Sequence, residues 1–287
     1  FIKRDDFIGQ LVWGNKLRKL EYSLADALEQ GADTIITCGA VQSNHARITA
    51  QVCKRMGIRC ILVQNGDVPA IPHGNHKVNL MLGVEMQFVS TRQERNARMQ
   101  EIHRTLEKEG RQPYIIPLGA SNATGCLGFV NAVKELKQQQ VEMGIQFDYI
   151  LHSTSSGGTQ AGLEIGKRLF GLDKTRIIGV SADNTREQII EHVLDCTQPV
   201  LEHLDASFSI DSREIITETG FVGPGYGLPS EQSAKALERF AREEGILLDN
   251  TYTAKAAAAL LHYLDENKLD AGSNILFWHT GGIVAEL

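Results

Sequence analysis

The sequence predicts an α/β fold built from two open, twisted, mostly parallel sheets flanked by helices. The main observation is that short apolar strands alternate with helices along nearly the whole chain, which is typical of parallel sheets covered on both faces. The length of 287 residues suggests two such sheets. Polar or glycine-rich segments also follow several strands, at the position where ligands bind in α/β proteins.

The first helix is predicted from residue 15 or 16, because leucines then recur at helical spacing until Gly31, a residue suited to the C-terminal cap. A buried strand over 34–37 and a helix over 43–56 follow, and this helix stops at Gly57. The same alternation continues towards the C-terminus. Further strands are predicted over 58–64, 84–89, 114–117, 148–152, 175–180 and 275–278, and further helices over 75–82, 92–108, 122–140 and 159–170.

Composition points to a small-molecule partner. The formal net charge is -6 and the pI is near 5.9, and no basic run forms a stripe that would bind nucleic acid. Five cysteines are an odd number, and they are spread without any C-x-x-C pair. This spacing argues against a disulfide framework and against a zinc site, and it fits a reducing compartment.

No apolar stretch approaches the roughly 20 residues that span a bilayer, so we expect no membrane partner and a cytoplasmic location. The chain begins at Phe1 rather than at methionine. Whether a targeting segment precedes it is therefore left open.

The first motif that carries chemistry is the turn and helix start at 14–19, where Lys16, Arg18 and Lys19 follow Gly14. Cations at a helix N-terminus oppose the macrodipole, at a cost of about 0.3–1 kcal/mol each. An anion is therefore expected nearby. The alternative is a solvated basic patch.

A second motif, 39–45, lies between a predicted strand and a predicted helix. Ser43 and Asn44 can meet a ligand there, but either one can simply cap the helix, and this motif taken alone favours the cap. His45 can likewise be a structural histidine within the core.

The third motif is Ser155–Gly162, again between a strand and a helix. Backbone N–H groups at a helix start, together with hydroxyls, can bind a phosphate dianion without a local lysine. The motif matches neither the dinucleotide fingerprint nor the P-loop. A plain Ser/Gly loop remains the alternative.

Two further segments, 223–227 and 248–255, each place a tyrosine at a loop or helix start, Tyr226 and Tyr252. A phenol can both stack on a ring and donate a proton, although packing alone also explains such residues. His73 and His76 have no third ligand in sequence, so a surface loop is predicted there and no metal.

Together these motifs resemble the family of D-cysteine desulfhydrase and 1-aminocyclopropane-1-carboxylate (ACC) deaminase, which are pyridoxal-phosphate enzymes of the tryptophan-synthase β-subunit fold, or fold type II. The resemblance spans nearly the whole chain, and its ordered blocks make it far more specific than any single motif. The blocks are 2–6, 14–16, 18–21, 42–45, 156–162, 225–227, 252–253 and 279–282.

The resemblance implies pyridoxal 5′-phosphate as the cofactor. Lys16 would carry it as a Schiff base and later remove the α-proton of the substrate. Lys19 would hold the phosphate, and Asn44 would bind the ring hydroxyl. The remaining phosphate ligands would be the amides and hydroxyls of Ser156, Gly157, Gly158 and Thr159.

On the substrate side, the resemblance implies that Ser43 contacts the substrate carboxylate or relays a proton. Tyr226 and Tyr252 would line the substrate face, and one of them would stack on the cofactor ring. Trp13 stands where the family usually has a glycine, which would place an indole near the cofactor entrance.

Thr253 is the most discriminating position, because the deaminase branch of the family has a glutamate there, opposite the pyridine nitrogen. A threonine hydroxyl cannot keep that nitrogen protonated, which weakens the electron sink. The resemblance therefore implies α,β-elimination from a β-substituted amino acid, first of all D-cysteine to pyruvate, sulfide and ammonia. The alternatives are ACC deamination, elimination from another substrate such as cysteate, and a module that only binds the cofactor or a phosphorylated metabolite.

For the domain organisation we expect a larger cofactor-binding domain from residues 1–20 and 126–287 and a smaller α/β domain from 21–125. The active site would lie between them. The resemblance also implies a homodimer that acts on a small amino-acid substrate.

Overall fold

The computed structural model describes residues 1–9 and 14–287. The predicted position of the Trp13 indole lies outside the described residues.

Two parallel sheets form the framework of the described chain. The larger sheet contains β1 (Ile2–Arg4), β6 (Tyr149–Thr154), β7 (Arg176–Ser181), β8 (Ile216–Glu218) and β9 (Ile275–His279). The smaller sheet contains β2 (Thr34–Ala40), β3 (Arg59–Asn65), β4 (Glu85–Val89) and β5 (Pro113–Ile115). The strand orders are β1-β9-β6-β7-β8 and β4-β3-β2-β5, and every described pairing is parallel. The predicted fold class is confirmed.

Helices flank both sheets. They are α1 (Lys16–Glu29), α2 (Asn44–Met56), α3 (Gly74–Leu82), α4 (Glu94–Lys108), α5 (Ala123–Met143), α6 (Gly158–Leu169), α7 (Arg186–His203), α8 (Glu231–Arg239) and α9 (Thr253–Asp265). The helix ends follow local sequence. Gly31 adopts φ +74° and its N–H donates to the Leu28 carbonyl at 2.9 Å, while Ala32 N–H donates to the Ala27 carbonyl at 2.9 Å. This pair of bonds is the Schellman motif expected of a C-terminal glycine.

The larger sheet is buried on both faces, as parallel sheets usually are. Because side chains alternate along a strand, Tyr149 and Leu151 of β6 pack on one face against α8 and α9. Ile150 packs on the other face against α5 and α6. A further cluster joins α5, α6 and α7.

The smaller sheet follows the same rule. Ile35 of β2 packs with α1 and α2, whereas its neighbour Ile36 packs with α4 on the opposite face. Helix α1 crosses the predicted domain boundary at residue 20, and its side chains at Leu20 and Leu24 belong to the core of the smaller sheet. The exact boundaries stay a prediction.

Among the described helices, none combines the length and the apolar character that a membrane span requires.

Candidate active site

A cavity of about 600 Å³ lies where the two sheets meet. Its walls include the segments that follow the carboxyl ends of β2, β3, β4, β5, β6, β7 and β9, as expected for α/β proteins. Eight of the predicted site residues line it: Lys16, Ser43, Asn44, Ser156, Gly157, Thr159, Tyr226 and Tyr252. Residues far apart in sequence are thus brought to one place.

A tight backbone contact places Lys16 at this cavity. Gly14 has φ +72°, and a Cβ there would stand 2.5 Å from the Thr280 carbonyl oxygen, so only glycine fits. The N–H of Asn15 donates to that same carbonyl at 3.0 Å. The start of α1 is therefore fixed to the end of β9, and Lys16 is the first residue of the helix.

The environment of Lys16 favours the neutral amine. Burial, followed by repulsion from Lys19, lowers the pKa of Lys16 to about 7, against a smaller opposing attraction from Asp249. Its Nζ donates to Asn15 Oδ1 at 3.1 Å, and Asn15 Nδ2 donates in turn to Thr159 Oγ1 at 3.2 Å. An amine with this pKa is partly unprotonated at neutral pH and can act as a nucleophile or a base.

Lys19 lies one helical turn further on, fully buried. Its Nζ donates to Ser121 Oγ at 2.8 Å, which lies 2.7 Å from Ser156 Oγ. Among the described residues Lys19 forms no ion pair, and burial lowers its pKa. A buried cation without a counter-charge is costly, so the site is suited to a bound anion.

The N-terminal end of α6 completes this cradle. A Cβ on Gly158 would stand 2.7 Å from Lys19 Nζ and 2.7 Å from Ser121 Oγ, so the bare backbone keeps the space open. The cradle thus consists of an ammonium group, two serine hydroxyls and the first N–H groups of a helix, which is a suitable set for a phosphate dianion. Sequence reasoning missed Ser121, although it too lies between a predicted strand and a predicted helix.

Ser43 and Asn44 each use one polar atom in a structural hydrogen bond and keep another that can contact a ligand. The Oγ of Ser43 accepts from Ala46 N–H at 3.2 Å and caps α2, so the capping interpretation is confirmed. Its own hydroxyl forms no donated hydrogen bond with the described residues, so this proton is available at the cavity wall. Asn44 Oδ1 accepts from Asn75 Nδ2 at 2.9 Å, and the Asn44 amide group can still donate. Asn75 was not singled out from the sequence.

His45 also lines the cavity, although its contacts are those of a buried residue. Its Nε2 lies 2.8 Å from Thr37 Oγ1, and the Thr37 hydroxyl donates to the Ile116 carbonyl at 2.7 Å. Thr37 therefore accepts from Nε2–H. Burial lowers the pKa of His45 well below its usual value, so the ring is neutral.

The two predicted tyrosines form a pair. Their hydroxyl oxygens are 2.7 Å apart, and their rings meet edge to face with centroids 5.8 Å apart. Burial raises the pKa of Tyr226 to about 12 and raises the pKa of Tyr252 well above its usual value. Both phenols are protonated at neutral pH, so one donates to the other and one proton remains free to donate.

A buried lysine fixes the loop that carries Tyr226. Lys255 Nζ donates to the carbonyls of Ala182 at 2.8 Å and Gly225 at 2.7 Å. It therefore joins the end of β7 to the residue that precedes Tyr226. Lys255 belongs to the 248–255 segment, but the sequence alone indicates no role for it.

Thr253 does not line the cavity. It is fully buried, and its hydroxyl donates to Asp249 Oδ1 at 2.7 Å while accepting from Asp249 N–H at 2.8 Å. Asp249 also accepts from the N–H groups of Thr251, Tyr252 and Thr253 at the start of α9. The predicted contact of Thr253 with the cofactor stays a prediction, and the structure adds Asp249 as its partner.

His73 and His76 lie in different surroundings. His73 is exposed and precedes α3, whereas His76 is buried within that helix. Within residues 1–9 and 14–287, no group of three or more His, Cys, Asp or Glu side chains is arranged to hold a metal.

Comparison with known proteins accords with this geometry. The model of the pyridoxal-phosphate dependent enzyme family matches residues 1–281. Among solved structures, the chain is similar to an ACC deaminase homologue at 35% identity and a TM-score of 0.91, over 100% of this chain and 85% of that one.

Two more distant structures share the fold. Threonine deaminase of T.th. has a TM-score of 0.71 at 18% identity, over 98% of this chain and 86% of that one. Diaminopropionate ammonia lyase of Escherichia coli has a TM-score of 0.67 at 13% identity, over 99% of this chain and 77% of that one.

Proposed function

The chain belongs to the pyridoxal-phosphate dependent enzyme family, and from this premise we propose that it is a lyase acting by α,β-elimination on a β-substituted amino acid. The substrate we propose first is D-cysteine, which would give pyruvate, sulfide and ammonia. The observation that carries the proposal is Lys16, an amine whose pKa is lowered to about 7, in a cavity that also holds an anion cradle and a pair of protonated phenols.

Pyridoxal 5′-phosphate is the cofactor of this chain, and when bound it supplies an electron sink for breaking bonds to the substrate Cα. We propose that Lys19, Ser121 and the segment 156–159 hold its phosphate, because together they offer a buried cation, hydroxyls and helix N–H groups. Asn44 would donate to the ring hydroxyl, and Tyr252 would stack on the ring.

Lys16 would move the first proton. Its amine is held by Asn15 at the cavity wall, and a pKa near neutrality lets it take a proton from the substrate Cα and release it later. Burial, followed by the nearby charge of Lys19, keeps this pKa low.

The tyrosine pair would serve the leaving group. Since one phenol proton of the pair is not used between the two rings, Tyr226 or Tyr252 can donate a hydrogen bond to the negative charge that develops on the departing sulfur. Because burial raises the pKa of each phenol, both stay protonated at neutral pH and can act as hydrogen-bond donors. Ser43 would use its free hydroxyl proton to bind the substrate carboxylate.

Thr253 supports elimination over cyclopropane opening. Its hydroxyl proton is committed to Asp249 at 2.7 Å, so this side chain cannot protonate a ring nitrogen. The electron sink would then be weaker than in the deaminase branch. A good β-leaving group such as a thiolate tolerates that weakness.

The test begins with the visible absorption of the purified protein, before and after borohydride reduction, with mass spectrometry of the peptide that contains Lys16. Addition of D-cysteine with assays for sulfide and pyruvate follows. We expect reduction to fix the cofactor on Lys16 and the wild type to release both products. In Lys16→Ala, reduction should fix no cofactor on the protein, and neither sulfide nor pyruvate should be released. The control is Lys235→Ala, which removes an exposed lysine paired with Glu231 and should behave as the wild type.

Turnover of ACC but not D-cysteine would overturn the proposed reaction, and bound cofactor without any turnover of amino acids would indicate a binding module. We also propose that the enzyme is a cytoplasmic homodimer, as the family resemblance suggests. Light scattering of the holoenzyme checks the oligomeric state, because a monomer at working concentration would contradict it.

A further inference from the structure

The cavity wall formed by the start of α4 carries a cation that lacks a carboxylate partner among the described residues. Arg95, in the first turn of α4, lines the cavity and is partly buried. Its Nε donates to the Arg92 carbonyl at 2.9 Å. With the described residues, its guanidinium forms no ion pair.

The neighbouring arginines differ in this respect. Arg92 also lines the cavity, but its Nη1 lies 3.4 Å from Asp183 Oδ2. Arg98, one turn further along α4, pairs with Glu101 at 2.6 Å and donates to Gln87 at 2.9 Å. Of the two arginines that line the cavity, Arg95 is therefore the one that forms no ion pair with a carboxylate of the described residues.

Among the described residues that line the cavity, cationic side chains outnumber carboxylates. Its described ionic side chains are Lys16, Arg92, Arg95 and a single carboxylate, Asp183, which Arg92 and Ser155 already engage. The field of Arg95 also reaches the proposed hydrogen-bond donor. Burial raises the pKa of Tyr226 to about 12, and the charge of Arg95 acts against that rise.

We propose that Arg95 is a specificity-determining residue that selects substrates with an anionic β-substituent, such as the sulfonate of cysteate. A guanidinium fork binds two oxygens of a sulfonate, carboxylate or phosphate at once, which a thiol or a halide cannot offer. A neutral substituent would displace water from a partly buried cation and leave it unpaired. This inference rests on the proposed elimination, and within it Arg95 favours the cysteate alternative over D-cysteine, whose thiol offers the guanidinium no pair of oxygens.

For cysteate the reaction balances without any further reactant than water. The Cα–H proton passes to Lys16, and the Cβ–S bond breaks with its electron pair leaving on sulfite. Water then hydrolyses the released aminoacrylate. Cysteate and water thus give pyruvate, ammonium and hydrogen sulfite, and no oxidant or reductant is needed.

The experiment compares Arg95→Gln with Arg98→Gln as the matched control, because Arg98 lies on the same helix and does not line the cavity. Initial rates of pyruvate release are measured with cysteate and with β-chloroalanine, whose substituent is neutral. We expect Arg95→Gln to lose roughly 10- to 100-fold in kcat/KM for cysteate. For β-chloroalanine it should stay within about twofold of the wild type.

A binding measurement separates this inference from the proposed reaction. Calorimetry of the holoenzyme is carried out with 3-sulfopropanoate, which has no amine and cannot react, and with butanoate, which lacks the second charge. Arg95→Gln should weaken only the sulfonate ligand, and Arg95→Lys should restore part of the affinity.

Equal losses for both substrates would mean that Arg95 binds the common α-carboxylate, and the inference would be wrong. It would also be wrong if Arg95→Gln changed neither the rate ratio nor the affinity for 3-sulfopropanoate. If no substrate yields pyruvate with the wild type, the proposed elimination fails, while the calorimetry still decides whether Arg95 recognises an anion.

Discussion

Replacing Lys19 by methionine should separate the stability of the protein from its affinity for the cofactor. Methionine keeps most of the apolar stem and removes the charge. In the structure that charge is fully buried, has Ser121 as its hydrogen-bond partner and, among the described residues, no ion-pair partner. The ammonium group thus contributes little to the folded apoprotein, but it would contribute strongly once a phosphate occupies the cradle.

The magnitude follows from these contacts. In the apoprotein the lost hydrogen bond to Ser121 costs about 1 kcal/mol, and the relief of a buried charge offsets it, so the free energy of unfolding should change by no more than about 1 kcal/mol. In the complex, a hydrogen bond to a charged group is worth about 1.5–3 kcal/mol, which corresponds to roughly 10- to 150-fold in Kd.

A non-covalent probe gives the clearest assay. Pyridoxine 5′-phosphate has an alcohol in place of the aldehyde and cannot condense with Lys16, whereas pyridoxine lacks the phosphate as well. Calorimetry on the apoprotein should show that Lys19→Met weakens pyridoxine 5′-phosphate and leaves pyridoxine unchanged. At a ligand concentration 100-fold above the wild-type Kd, the wild type gains about 2.7 kcal/mol of stability, and a variant with 100-fold weaker binding gains only about 0.4 kcal/mol.

Two results would refute this reasoning. If Lys19→Met binds pyridoxine 5′-phosphate within about twofold of the wild type, then the cradle is not the phosphate site. If the apoprotein of Lys19→Met is less stable by several kcal/mol while Lys235→Met is unchanged, then the ammonium group of Lys19 is structural.

Three other predictions concern the rest of the site. The pKa of Lys16 falls from 10.5 to about 7 on folding, so the unfolded chain binds more protons than the folded chain between these pH values. The free energy of unfolding of the apoprotein should therefore rise with pH in this range. In denaturant titrations, Lys16→Met should reduce the slope of that rise by up to about 1.4 kcal/mol per pH unit. Tyr226→Phe and Tyr252→Phe should each slow D-cysteine turnover by roughly 100-fold, and β-chloroalanine much less because chloride leaves readily without a hydrogen bond. If the two tyrosines share one proton, the double variant should be about as slow as either single variant, and a loss equal to the product of the two would contradict the sharing. Lys255→Met should destabilise the fold by about 2–4 kcal/mol in denaturant titrations, because two carbonyls lose a charged donor, whereas the exposed Lys235→Met should not.

Much of the fold was predictable because its signals are local. Alternating strands and helices, together with glycine caps such as Gly31 and Gly57, set most element ends to within a few residues. The elements not individually predicted carry weaker local signals. Pro199 lies inside α7 and is usually a helix breaker, and β8 has only three residues.

The candidate site was predictable where it depends on strand-end motifs and not where it depends on tertiary pairing. Ser43, Asn44 and the 156–159 segment line or border the cavity because they follow parallel strands. By contrast, the contact of Lys19 with Ser121 joins residues 102 positions apart, and no local pattern indicates such a pair.

Thr253 shows how a local signal can be present and still be passed over. An aspartate four residues ahead of a helix start can accept several N–H groups of the first turn, which is what Asp249 does. Once that arrangement is considered, the threonine hydroxyl is expected to turn to the carboxylate.

Three cations of the cavity region, Lys16, Lys19 and Arg95, form no ion pair with the described residues, unlike Arg92, and they have one physical explanation. Lys16 and Lys19 both have lowered pKa values because burial disfavours their charge, and Arg95 cannot give up its proton at all. Because these groups have no carboxylate partners among the described residues, the cavity is suited to ligands that carry the counter-charges. The cofactor phosphate can supply one beside Lys19. The charge near Arg95, on the α4 wall, would then be left for the substrate to balance, and we therefore expect the choice between neutral and anionic β-substituents to depend on that arginine.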